Sequence, residues 1–136
     1  MNYHLIFRIY FIMNNSPILK EIETENFIWI IYLFLIGLSF LANKFEKDYY
    51  INGNINDKEK YRIINIFVFT VALIIYIYFF QGNIDAVNKL NCGDSYDKIF
   101  FNKLNLFSTS LIVIAGIIFL YIAINDKNLE TEISFN

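Results

Sequence analysis

The most reactive side chain in this sequence is Cys92, set in the run Asn91-Cys92-Gly93-Asp94-Ser95-Tyr96-Asp97. A cysteine beside glycine and two acids could act as a nucleophile or as an acylation site. Nucleophilic catalysis needs a base within reach of the thiol, and the one histidine, His4, lies at the far end of the chain. The run therefore reads more simply as a turn that caps a following helix. The special use of Cys92 that needs no second group is an intermolecular disulfide, in a loop that faces an oxidising compartment. One cysteine permits neither an internal disulfide nor a cysteine metal cluster, and one histidine excludes His-rich zinc motifs. Glu21, Glu23 and Glu25 alternate, so they would not share a helical face and would hold a divalent cation only weakly. No catalytic, cofactor-binding or metal-binding residue is expected, and the expectation is a protein that is not an enzyme.

The remaining candidates concern packing. Thr109, Gly116 and Ala123 recur at seven-residue spacing, with Ser108, Ile112 and Ala115 beside them. Small residues let helix backbones approach, and hydroxyls bond across helices. This stripe predicts a helix-packing seam, first among the helices of the chain itself and alternatively between copies. Asn65, Phe69, Ala72 and Tyr76 fall on a second helical stripe, where Asn65 is expected to hydrogen-bond to a neighbouring helix or to sit at an interface.

The elements that must carry these residues follow from three long apolar runs. Phe27 to Ala42 holds sixteen residues without a charge, Ile63 to Phe80 eighteen, and Leu104 to Ile124 twenty-one. Crossing the hydrocarbon core takes ~20 apolar residues in a helix, within ~17–25. The first run is slightly short, but Phe45 extends it past Lys44, whose stem can snorkel to the interface. Each run is apolar all round rather than striped, and each is far longer than an ordinary strand of ~5–6 residues. Hydrophobic residues make up 57% of the 136 residues and aromatics 19%, against ~45–50% apolar in soluble domains. The fold class is accordingly an all-α membrane protein with three transmembrane helices and a short N-terminal interfacial or extended segment.

This divides the chain into an N-terminal segment (1–26), spans at 27–42, 63–80 and 104–124, polar loops at 43–62 and 81–103, and an acidic tail (125–136). The 81–103 loop is expected to hold short helical parts. Trp29, Tyr32, Tyr49, Tyr50, Tyr61, Tyr76, Tyr78 and Tyr121 lie near the span ends, where interfacial aromatics belong. Asn56 to Glu59 reads as a capping box, so the second helix is expected to begin near Asp57. Gly82 is a natural C-terminal stop, and the third helix is expected to begin near Ser95. Pro17 marks a turn or a first helical turn. Residues 5–13 are too short to span and carry Arg8. They form either a short interfacial helix or a stretch ahead of a true start at Met13 rather than Met1.

Three spans place the termini on opposite sides. Lys44, Lys47, Lys58, Lys60 and Arg62 in the first loop, with Lys127 in the tail, face Arg8, Lys20, Lys89, Lys98 and Lys103 on the other side. The first-loop residues hug both membrane edges, so the positive-inside rule favours an outside N-terminus and a cytoplasmic C-terminus. A net charge of −2 supplies no basic field for nucleic acid. The spans contain no ionisable residue, which argues against a proton-coupled transporter. The implied partners are the lipid bilayer and either a second copy or another membrane protein. The functional expectation is a non-enzymatic accessory or structural membrane subunit. The alternative is an oligomeric pore-former, holin-like or viroporin-like. The outline resembles some phage holins in organisation, through no shared motif, and their tails tend to be basic where this one is acidic. A pore also wants a polar stripe along a helix, and Ser108-Thr109-Ser110 covers only one end of the third span.

Overall fold

The computed structural model describes residues 3–130, which form helices α1 (Tyr3–Asn15), α2 (Pro17–Asn52), α3 (Ile55–Asn88) and α4 (Tyr96–Asn125). No strand occurs among the described residues. Met1, Asn2 and the end of the acidic tail (131–136) lie outside them.

The chain divides into two compact units after Ile36. In the first, α1 exposes apolar side chains over most of its surface, Tyr3, Leu5, Phe7, Tyr10 and Phe11 among them. Where α1 gives way to α2, Ser16 N–H donates to Ile12 O (3.1 Å) and Lys20 N–H donates to Ser16 O (3.2 Å). Pro17 opens α2, the position where its missing N–H costs nothing. Glu21, Glu23 and Glu25 are exposed within α2, so residues 17–26 of the expected N-terminal segment belong to the first long helix. The Trp29 and Tyr32 rings tilt together, with centroids 5.7 Å apart.

In the second unit the end of α2, α3 and α4 follow in order. Gly53 adopts a left-handed backbone (φ 66°), and its N–H donates to Tyr49 O at 2.7 Å, which closes α2 with a glycine C-cap. Asn54 caps α3, its side chain accepting from Asn56 N–H at 3.0 Å. The helix therefore starts at Ile55, slightly ahead of the expected Asp57, because Asn54 offers a capping oxygen earlier. Asp57 then sits in the first turn, where a carboxylate suits the helix dipole. Across this turn Lys60 Nζ lies 4.9 Å from the Phe45 ring centre and Lys58 Nζ 5.6 Å from that of Tyr49.

Gly82 does not end α3. The helix continues to Asn88, and Lys89 caps it, donating to Asp85 O. A mid-helix glycine costs ~1 kcal/mol relative to alanine, a penalty that the contacts of the next residue, Asn83, with α4 can offset. Ser95 caps α4 as its sequence suggests, accepting from Lys98 N–H at 3.3 Å. The stretches 43–62 and 81–103 are thus mostly helix, with breaks at residues 53–54 and 89–95.

Three helices are long and apolar enough to cross a membrane, and the chain is a helical multi-pass membrane protein. At ~1.5 Å per residue, α3 with its 34 residues outreaches a hydrocarbon core of ~30 Å. Only 17%, 17% and 11% of the most apolar stretches of α2, α3 and α4 is buried within the chain. That outward apolar surface is untenable in water and suited to lipid.

Candidate functional site

Among the described residues, α3 and α4 pack closely, and Asn83, Asn105 and Thr109 hydrogen-bond within their seam. At its centre stands Gly116, which is buried. A Cβ built there would lie 3.1 Å from Leu73 Cδ1 and 3.2 Å from Tyr76 Cδ2. Absence of a side chain at Gly116 is what allows this approach. Beside it, Phe69 and Phe119 stack with centroids 5.8 Å apart.

One end of the seam is fastened by amides. Asn105 Nδ2 donates to Asn83 Oδ1 (2.9 Å), and Asn83 Nδ2 donates to Thr109 Oγ1 (3.1 Å). The Thr109 hydroxyl donates in turn to its own helix, with Asn105 O and Leu106 O both at 3.1 Å. The three side chains form a small circuit between the helices. Where water is scarce, such bonds hold helices together because the alternative is an unpaired polar group.

The other end is built around Arg62. Its Nη1 lies 3.1 and 3.2 Å from the two carboxylate oxygens of Glu59, one turn earlier on α3. Its Nη2 donates to Ile124 O in the last turn of α4 at 3.3 Å. This carbonyl belongs to a helix C-terminus, which favours a cation. Arg62 Nε is buried and has no hydrogen-bond partner in the protein. Asn65, 3% exposed, lies one turn further along α3, and Tyr61 and Ala123 are buried nearby.

Thr109, Gly116, Ala123 and Asn65 therefore all belong to this seam or its ends. Ala72 is half-buried. Ser108 and Ser110 turn their hydroxyls onto Leu104 O (3.0 Å) and Phe107 O (2.6 Å) of their own helix. Cys92 is exposed and free. It sits in a stitched turn: Asp94 Oδ2 accepts from Asn91 N–H at 2.8 Å, and Lys98 Nζ donates to Asp94 Oδ1 at 2.8 Å. The Asn91 N–H and then the Lys98 ammonium hold the Asp94 carboxyl below its ordinary value. Among the described residues no three of His, Cys, Asp and Glu gather as metal ligands.

Sequence reasoning missed Asn83, Asn105 and Arg62 as members of the seam. Asn105 and Thr109 lie four residues apart on one helical face, a visible signal. Asn83 carried none, because it lies beyond the apolar run and past a glycine. Arg62 read as a charge marking the membrane edge.

Comparison with known proteins finds no matching family model, no similar curated protein and no similar solved structure. The fold and seam define a small all-α, multi-pass membrane protein with a closely packed helix pair.

Proposed function

We propose that this protein is a non-enzymatic accessory or structural subunit that works by packing against another membrane protein. What supports this reading is the division of its polar groups. Asn83, Asn105 and Thr109 are used in joining α3 to α4, while Ile117 and Ile118 of α4 point outward at 53% and 52% exposure. A helix pair fixed from within and apolar without suits a scaffold in lipid. The pore-forming alternative asks for polar groups along a free face, and the Ser108 and Ser110 hydroxyls are instead turned onto their own backbone. The proposed orientation has the N-terminus outside and the C-terminus cytoplasmic.

Photoreactive residues at 117 and 118, used in native membranes, test the reading together with dye release from vesicles carrying the purified protein. We expect one discrete adduct with another membrane protein and no release. A ladder of multiples of this chain, with dye release, would replace the accessory reading with the pore. A membrane-impermeant thiol label tests the orientation through Cys92, which should react in intact cells. Reaction only after the membrane is opened would reverse the topology.

A further inference from the structure

A cavity of about 20 Å³ lies at the Arg62 end of the seam, lined by Tyr61, Arg62, Asn65, Ala123, Asp126 and Leu129, with Ile122 completing the wall. We infer that this cavity is a binding site for a single ordered water, which bridges Arg62 Nε and the Asn65 amide.

Size comes first. One water needs a cavity of at least ~10–15 Å³ on this measure, so the space is large enough for one water molecule. The lining then selects for chemistry. Arg62 Nε carries a hydrogen, is buried and has no protein acceptor. Asn65 is 3% exposed and lines the same space. A water can accept from Arg62 Nε–H and donate to Asn65 Oδ1, with Tyr61 and Asp126 in the same wall. Buried waters characteristically make about three such bonds.

Charge argues against an ion. An anion would meet Asp126 in the wall, and the Arg62 guanidinium that might attract it is already paired with Glu59. A bare cation would meet the guanidinium itself. A neutral molecule that both donates and accepts fits each constraint.

The chain beyond α4 forms one wall of the site. Asp126 N–H donates to Ile122 O (2.8 Å), and Asp126 Oδ1 accepts from Glu130 N–H (3.0 Å). Leu129, between them, takes a left-handed backbone (φ 55°) and forms part of the wall. The water would thus sit between two residues of α3, against the segment that follows α4.

The test uses the full chain, labelled with ¹⁵N, in lipid nanodiscs. Water cross-peaks are measured at Arg62 Nε–H and the Asn65 side-chain amide, in the wild type and in Asn65→Leu. We expect cross-peaks of the sign given by a long-lived bound water at both groups. In Asn65→Leu the Arg62 cross-peak should be lost while the Asn83 amide signals stay in place, showing that the seam is still folded. Cross-peaks to lipid protons, or no water contact at Arg62 Nε–H in the wild type, would overturn the assignment. An Arg62 cross-peak unchanged in Asn65→Leu would also overturn the bridge.

Discussion

Gly116 offers the sharpest test of how α3 and α4 meet. Replacing it with alanine places a methyl 3.1 Å from Leu73 Cδ1 and 3.2 Å from Tyr76 Cδ2, a few tenths of an ångström inside comfortable contact. Both obstacles are side-chain atoms, and the Leu73 methyl ends a flexible chain that can yield. Against that crowding, alanine is favoured over glycine in a helix by ~1 kcal/mol in aqueous hosts. Overpacking costs ~1–3 kcal/mol, and a single methyl belongs at the low end. The two effects nearly cancel, so Gly116→Ala should change stability by less than ~1 kcal/mol. Gly116→Leu is different, because its branched end has no space between the helices unless they separate. We expect it to cost ~2–3 kcal/mol or more, roughly a 30- to 150-fold shift in the folding equilibrium. Reversible unfolding in mixed micelles would measure both variants, with a pair of cysteines introduced on α3 and α4 reporting their separation. If Gly116→Leu proved as stable as the wild type, with the helix separation unchanged, the close approach at Gly116 would be refuted.

A double-mutant cycle on Asn83→Ala and Thr109→Ala should return a coupling of about 0.6 kcal/mol and no more than ~1.7, the range for hydrogen bonds between membrane helices; zero coupling would mean that the amide circuit does not form. Gly53→Ala should cost ~1–2 kcal/mol, since a side chain is strained in the left-handed region, and the same unfolding assay would show no loss if the α2–α3 turn were built otherwise. Asp94 has its folded pKa lowered by Asn91 N–H and Lys98, so its contribution is complete above the unfolded value of 3.8 and is lost as pH falls through the lower folded value. Hydrogen-exchange protection of the Asn91 amide should therefore fall in that acid range, and Asp94→Asn should weaken it at neutral pH; protection indifferent to both changes would count against the stitched turn.

The membrane spans were legible because a bilayer imposes a length, and runs such as 104–124 meet it through composition alone. The caps at Asn54 and Ser95 show the limits of local chemistry. At Ser95 one good capping oxygen precedes the helix, and the expected start agrees with the structure. Before α3, Asn54 and Asn56 compete, and the outcome depends on Gly53 having already ended α2 in a left-handed turn. Gly82 misleads for a different reason: a glycine stops a helix where the chain can profit from a reversal, whereas here the next residue, Asn83, pairs with α4 only if α3 continues.

The seam itself depends on register between helices, which no run length encodes. The seven-residue recurrence of Thr109, Gly116 and Ala123 marks one face of α4 but does not say what lies opposite. In the structure Asn83 meets Thr109, Leu73 and Tyr76 meet Gly116, and Asn65 lines the cavity beside Ala123. Unequal steps along α3 thus answer equal steps on α4, because side chains of different reach make the contacts. Polar fastenings at both ends, with close packing between them, favour one register: sliding by one turn would take one of the two partners of Asn83 out of reach and bring Ile112 or Leu120 against Leu73 and Tyr76 in place of Gly116. In lipid, where apolar burial scarcely distinguishes one helix contact from another, that combination of hydrogen bonds and shape is what can select one arrangement of α3 and α4.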